Sequence, residues 1–308
     1  MPNVLREHQH ELNLPDDAGN GFVFGTEDTG YLTLTRPTTS AADQRNGDRD
    51  RPQEDGRMFG FDYRGAKTVV FEIGVITDHL TVPSGAHRLN LDYLDALEAL
   101  WQHRKWRNSP DALAMLRSCE GGQTWRCYGR PRRYEESAGT LTQRGFTPIV
   151  ADFALIDNEW YADVESVADV FLPSGIEGGL VAPVTAPLSS VQSTAGSASI
   201  TVGGSSATWP VVEFRGPVLN PSLNIGTMVI SLFMNIAAGE VVVYDPRPWI
   251  RSVYGLANNA GYAGAIAAPT PKMADTALDP GTYAVAFNGT GSGGASARLR
   301  WRNARTRP

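Results

Sequence analysis

From Ile149 to Leu155 the side chains keep a strict two-residue period. Ile149, Ala151, Phe153 and Leu155 fall on one face, Asp152 and Ala154 on the other. Successive side chains of a strand point to opposite sides, so this run predicts a strand with one buried face. Upstream, the segment from Tyr128 supplies a partner strand through a polar connection. Asp157 and Asn158 then provide turn chemistry, and Trp160 opens another extended run. The chain turns on itself here, which predicts one domain over residues 1–172 and a second over 173–308.

A length of 308 residues suits about two domains, and 42% hydrophobic residues suffice for two cores. Gly 32 and Pro 20 favour a turn-rich, mostly β protein. A net charge of −6 argues against a strongly basic nucleic-acid binder, which needs a clear excess of Lys and Arg. The two cysteines, Cys119 and Cys127, make no disulfide framework and read as free thiols of a protein made in a reducing cytoplasm. The N-terminal stretch has no apolar core of a secretory signal. The longest apolar run, Met228 to Ala238, is broken by Ser231 and Asn235 and is far short of the roughly 20 residues of a membrane helix. A soluble protein without membrane contact is expected.

Local patterns fill in the two domains. Tyr31 to Thr35 alternates, with Leu32 and Leu34 on one side. Gly56 to Tyr63 and Lys67 to Val75 are extended, the latter rich in β-branched residues. Between them and the first strands lies Arg36 to Arg57, almost without large apolar side chains and too polar to order itself. It is a solvated loop or a subunit contact, with Arg45, Asp48, Arg49 and Arg51 as the contact candidates. A long helix is expected from Asn90 as N-cap. Leu94, Leu97, Leu100 and Trp101 sit at helical spacing, Asp92, Asp95 and Glu98 towards its start, and His103, Arg104, Lys105 and Arg107 at its end. Ser109 and Pro110 then predict a short second helix burying Ala112, Leu113 and Leu116. After residue 175 short strand patterns recur at the spacing of a sandwich. Ile230, Leu232, Met234 and Ile236 share one face. Tyr283, Val285 and Phe287 alternate with small or polar residues. Ala297, Leu299 and Trp301 alternate with Arg298, Arg300 and Arg302.

Catalytic and metal chemistry find little footing in the residue patterns. His8 and His10 would share one face of a strand, which is two ligands short of a structural zinc site. No nucleophile elbow, phosphate loop or dinucleotide fingerprint occurs. Adjacent acids such as Asp16–Asp17 and Glu135–Glu136 would point to opposite faces, poor geometry for paired-carboxylate catalysis. Two features remain. Arg298, Arg300 and Arg302 form a basic stripe, read either as charge that protects an edge strand or as an anion contact. Trp209, Trp249, Tyr254 and Tyr262 are core aromatics or platforms for a sugar. Trp209, Trp249, Tyr254 and Arg300 are thus the candidates for glycan contact.

The order of short motifs carries a resemblance over most of the chain: Gly56 to Gly60 (GRMFG), Tyr128 to Pro131 (YGRP), Val150 to Phe153 (VADF) with Trp160–Tyr161, Asn220–Pro221, Ala237 to Glu240 (AAGE) and Tyr244–Asp245. In these the chain resembles the distal tail protein of long, non-contractile-tailed bacteriophages, a minor tail protein. The resemblance implies a mainly β fold with one long helix: an N-terminal split β-barrel-like domain related to tail-tube proteins, then a C-terminal galectin-like β-sandwich. It further implies a non-enzymatic, cofactor-free virion protein, assembled in the host cytoplasm, that forms a homohexameric ring at the tail tip. That ring would join the tail tube to the baseplate and serve as a hub for receptor-binding proteins. DNA would pass its channel without specific binding. An inserted carbohydrate-binding domain, present in some members, is not identifiable in this chain. The alternative function is a carbohydrate-binding module that recognises host cell-wall glycan.

Overall fold

A computed structural model describes residues 3–13, 21–77, 83–172, 196–291 and 294–308. Asp16, Asp17, His79 and the segment 173–195 lie outside the described residues. The chain divides into two compact units, Met1–Asp163 with Thr306–Pro308, and Val164–Arg305.

In the first unit, β1 (His10–Asn13), β2 (Phe22–Phe24), β3 (Tyr31–Thr33) and β4 (Thr38–Thr39) precede an excursion made of β5 (Gln44–Asn46), β6 (Arg49–Asp50), β7 (Arg57–Met58) and β8 (Asp62–Arg64). Then follow β9 (Thr68–Ile76), helix α1 (Pro83–Trp101), the short α2 (Arg104–Asn108), β10 (Ala114–Glu120), β11 (Gln123–Glu136), β12 (Phe146–Leu155) and β13 (Trp160–Ala162). The sheet runs β2-β1-β10-β11-β12-β9-β3, with β13 on β11 and β4 on β9. Its spine is the antiparallel pair β9–β12, in unbroken register from Phe146 opposite Ile76 to Ala154 opposite Thr68. The predicted alternation is real: Ile149, Ala151, Phe153 and Leu155 are buried, as are Val69, Phe71, Ile73 and Val75 across from them. Between Pro131 and Tyr134 the β11–β12 register shifts by a bulge, which bends and twists a sheet that must curl.

The two ends of this sheet meet. Gly25, just beyond β2, forms a parallel bridge with Leu32 in β3. Its N–H donates to the Tyr31 carbonyl at 2.7 Å and its own carbonyl accepts from Thr33 N–H at 3.1 Å. The result is a nearly closed barrel-like sheet, which satisfies edges that an open sheet would leave unpaired. Glycine is required at the join. Gly25 has φ +124°, and a Cβ there would lie 2.2 Å from the His8 carbonyl oxygen.

Inside, His10, Phe24, Phe71 and Trp101 pack edge-on or tilted at centroid distances of 5.2–6.3 Å. Helix α1 lays Leu94, Leu97 and Trp101 on this core, each worth about 2 kcal/mol of burial. The Trp101 indole N–H donates to the Asp152 carbonyl at 3.1 Å, fixing the helix over β12.

Several sequence expectations change here. The helix begins at Pro83, so Asn90 is no cap. It is fully buried mid-helix, donating to the Val75 carbonyl and accepting from the Thr147 hydroxyl at 2.7 Å. A buried amide with two partners stitches α1 to β9 and β12 and leaves the acids Asp92, Asp95 and Glu98 mid-helix, away from the first turn. Helix α1 stops at Trp101. The helix predicted from Ser109 is absent: Ala114 to Glu120 is strand β10, with Leu116 buried in the barrel. Tertiary pairing with β1 and β11 overrides the local helix-start signal. In β3 the buried side is that of Tyr31, whose hydroxyl donates to the Tyr93 carbonyl. Leu34 is 41% exposed. His8 and His10 do not share a face: His8 has φ 64° and is exposed, while His10 is in the core.

The second unit stacks two sheets. Its strands are β14 (Ser166–Phe171), β15 (Ser197–Val202), β16 (Val211–Arg215), β17 (Val218–Ile225), β18 (Met228–Leu232), β19 (Asn235–Ile236), β20 (Val241–Asp245), β21 (Ser252–Gly255), β22 (Ile266–Ala267), β23 (Gly281–Thr290) and β24 (Ser296–Trp301). One sheet has the order β14-β24-β16-β20-β21, the other β15-β23-β17-β18-β22 with β19 on β17. Alternate residues of both fill one core: Val212, Phe214, Val242, Tyr244, Ala297, Leu299 and Trp301 from the first, Leu223, Ile225, Ile230, Leu232, Val285 and Phe287 from the second. This is the expected galectin-like sandwich, with Ile230, Leu232, Ile236, Val285 and Phe287 buried as the alternation predicts.

Two outcomes follow. Gly25→Ala costs the first unit about 3 kcal/mol, because a side chain there is both strained and overlapped; urea unfolding read by core tryptophan fluorescence measures it. His10 is the second test. Burial, with a smaller push from His8, lowers its pKa to about 3. The unfolded chain therefore takes up a proton below pH 6.5 that the folded chain refuses, and stability falls as pH drops from about 6.5 towards 3. The slope is about 1.4 kcal/mol per pH unit. Urea midpoints between pH 7.5 and 4.5 show this loss, and His10→Phe flattens it.

Candidate functional site: an uncovered arm and a charged sheet face

The excursion between β4 and β9 is an arm. β5 pairs β8, so that Arg45 stands opposite Tyr63, and further out β6 pairs β7, so that Arg49 stands opposite Met58. Between these two short ladders the backbones cross at two glycines: a Cβ on Gly60 would lie 2.4 Å from the Gly47 carbonyl oxygen. Asp48 holds the crossing, accepting from the Gly60 N–H at 3.0 Å and pairing with Arg57 at 3.5 Å. At the root, Asn158 accepts from Lys67 N–H and donates to the Gly65 carbonyl.

The arm exposes what a soluble surface normally hides. Phe59 is 87% exposed, Phe61 82%, Tyr63 64% and Met58 49%. Phe59, Phe61 and Tyr63 stand at alternate positions from the glycine crossing into β8. A row of uncovered aromatics beside polar residues marks an interaction surface. Of the four predicted contact residues, Arg45, Asp48, Arg49 and Arg51 all lie on this arm. Asp48 serves the arm's own structure, and Arg51 pairs with Glu54 at 3.6 Å. The polar segment does order, by pairing with residues 57–64. The aromatic row was missed as a site because its alternation is also the pattern of a core strand.

The second candidate surface is the face of the five-stranded sheet turned away from the sandwich core. Arg298 donates to Asp169 at 2.7 Å and 3.0 Å, a bidentate pair that, ahead of other causes, holds the Asp169 carboxyl below its usual range. Arg300 reaches Glu213 at 2.9 Å and Glu165 at 3.4 Å, Arg302 reaches Glu165 at 3.6 Å, and Arg215 reaches Glu213 at 2.8 Å. The basic stripe is therefore interleaved with carboxylates from β14, β16 and the segment before β14. Val211, opposite Arg300, and Val243, between Glu213 and Tyr254, face outward yet are buried. Tyr254 pairs Val243 on this sheet, and burial raises its pKa. Arg247, held by Asp245, sits 5.7 Å over the Trp249 ring. Trp249 and Trp209 are half-buried. Of the four glycan-contact candidates, Tyr254 and Arg300 thus lie on one sheet, Trp249 in the segment after β20, and Trp209 just before β16.

Among the described residues, Glu7, His8 and Glu120 bring metal-ligating atoms within 4.8 Å of one another. Protein groups already occupy them: Arg36 lies 3.4 Å from Glu120, and both Glu7 oxygens accept backbone N–H groups of Gly121 and Gly122, which lower its pKa. Both cysteines are free and buried. No described helix is long and apolar enough to cross a membrane.

No protein-family model and no curated protein matches the sequence. Solved structures do match, end to end. The Dit protein of phage SPP1, described as a paradigm of the hub adsorption apparatus of phages infecting Gram-positive hosts, superposes with a TM-score of 0.57 at 14% identity, covering 96% of this chain and 98% of that one. Chains of the phage P2 baseplate in its activated conformation match with TM-scores of 0.51 (with Ca) and 0.50 (with Sr), at 9% and 10% identity, each covering 95% of this chain and 97% of the other. The fold is that of a distal tail protein. The likeness runs through both units, barrel-like sheet and sandwich alike, at 9–14% identity.

The charged face yields a test. Glu213→Ala leaves Arg215 and Arg300 without their shared carboxylate at a nearly buried position, and destabilises the second unit by about 3 kcal/mol. Glu213→Gln, which keeps a hydrogen-bond acceptor, costs less. Urea midpoints of the two variants show the ranking.

Proposed function

We propose that this protein is a structural component of a phage tail tip. It forms a ring that joins the tail tube to the baseplate and serves as an attachment hub for receptor-binding proteins. The observation that carries this reading is the arm of residues 43–65. It presents Phe59, Phe61 and Tyr63 to solvent, and a chain that functioned alone would have no use for such a row. The end-to-end likeness to a hub protein supports the same reading, since both units are shared and neither is an appended module.

On this proposal the barrel-like unit is the ring-forming body, and its arm is covered by a sister copy or by a tube subunit. Copies related by rotation contact each other head to tail, so the arm and its acceptor are different surfaces, and repetition closes a ring. The resemblance drawn from the sequence sets the ring at six copies. Arg45, Arg49 and Arg51 flank the aromatic row and would steer the contact. The protein acts in the virion tail by shape, without turnover or cofactor. DNA passes the channel without specific binding, in keeping with a mildly negative chain.

Light scattering and negative-stain imaging of the purified chain, alone and with tail-tube protein, test this. Rings are expected. Replacing Phe59, Phe61 and Tyr63 together by Ser removes assembly while leaving the unfolding midpoint unchanged, because these side chains are exposed in the protomer. Trypsin, which cuts after Arg45, Arg49 and Arg57 but not at the Arg51–Pro52 bond, nicks the free chain and spares the assembled one. A chain that stays monomeric at high concentration and ignores tube protein overturns the proposal.

A further inference from the structure

A cavity of about 440 Å³ opens on the sandwich between the β17–β18 turn and the segment from Pro269 to Asp279. It lies on the six-stranded sheet, away from the arginine–carboxylate face. Its volume falls within the range of small-ligand sites, and its chemistry is selective. Ile225, Met228, Val229 and Leu278 supply an apolar wall, Tyr283 a half-buried ring, and Asp275 and Asp279 two exposed carboxylates. Among the described residues, no cationic side chain lines it. Such a lining repels phosphate and carboxylate ligands.

The walls are fixed in place before any ligand arrives. The Tyr283 hydroxyl donates to the Asp279 carbonyl at 2.8 Å, and the ring rests against Gly226, where a Cβ would lie 3.1 Å from it. Glycine at 226, with φ +59°, is what lets the turn pass beneath the ring. The opposite wall is tied to β18: the Thr270 hydroxyl donates to the Ser231 carbonyl at 3.0 Å and accepts the Ser231 N–H at 2.8 Å. Pro269 and Pro271 flank that tie. Thr276, buried, donates to the Met273 carbonyl and holds the loop that carries Asp275. An aromatic ring beside two acceptors and an apolar wall matches one ligand chemistry well. The C–H face of a sugar ring packs on the aromatic and aliphatic groups, and vicinal hydroxyls donate to the carboxylates.

We propose that this cavity binds a neutral saccharide of one or two rings, as a terminal unit of a surface glycan. The proposal does not depend on ring assembly. It assigns glycan contact to Tyr283, Asp275 and Asp279, and leaves Trp209, Trp249, Tyr254 and Arg300 outside the site.

Saturation-transfer NMR and calorimetry on the full chain test it, with a panel of neutral disaccharides built from glucose, galactose, rhamnose and N-acetylglucosamine as probes. At least one probe binds saturably, with little dependence on salt because no net charge is exchanged. Asp275→Asn and Asp279→Asn, at exposed positions that keep the fold, each weaken it by about tenfold. Tyr283→Ala weakens it further, and its unfolding midpoint shows whether the core is intact. Trp249→Ala leaves binding unchanged. Absence of saturable binding across the panel overturns the proposal. So does binding indifferent to both Asp variants, binding abolished by Trp249→Ala, or uptake of a lysine-rich peptide in place of every sugar.

Discussion

The first unit depends on a join. Seven strands follow one another round the sheet, and its two ends meet through a single short bridge at Gly25. Closing a sheet demands that strand ends approach where side chains would ordinarily stand. The chain meets that demand with glycine at Gly25 and again at Gly129, where a Cβ would lie 2.0 Å from the Ala154 carbonyl oxygen. With the join made, the interior becomes a sealed space that Phe24, Phe71, Phe153 and Trp101 fill. Histidine is then tolerated there only as neutral imidazole, its Nδ1 within 3.0 Å of the Ser118 hydroxyl.

Strand identity was legible wherever alternation and burial agree. Val69 to Val75, Ile149 to Leu155 and Ala297 to Trp301 could be assigned from their residues, because each buries one whole face and a one-residue slip would expose it. Helix boundaries were less legible. The stretch from Pro83 to Leu89 lacks an obvious apolar stripe, so Asn90 looked like a cap. Its true role, bridging α1 to Val75 and Thr147, rests on partners 15 and 57 residues away. Ser109–Pro110 carried a genuine helix-start signal, and β1 and β11 overrode it by claiming residues 114–120 for the sheet.

The candidate surfaces show the same limit in another form. Polarity marked Arg36 to Arg57 as unable to fold by itself, and by itself it does not; its partner strand comes from 57–64. Composition cannot reveal that Phe59 and Phe61 face water while Phe71 and Phe153 face the core. All four sit in alternating runs, and only the sheet that receives them differs. The arginines at 298, 300 and 302 were legible as a stripe on one face. Their neutralisation by Glu165, Asp169 and Glu213 was not, since those acids lie 87 to 137 residues away in sequence.

The two units thus handle exposed sheet in opposite ways. The sandwich neutralises the arginines of its outer face with its own carboxylates, Glu165, Asp169 and Glu213. The barrel-like unit sends out a two-stranded arm that has no third strand and no core. An isolated two-stranded ribbon is at best marginally stable in water. Here it is held by a glycine crossing, by Asp48 and by its root at Asn158, with its largest apolar side chains uncovered. Ordering that ribbon costs conformational entropy that its internal contacts barely offset. Phe59, Phe61 and Tyr63 stay uncovered by the ribbon's own contacts, so the proposal of assembly rests on this arm and not on the well-packed barrel behind it.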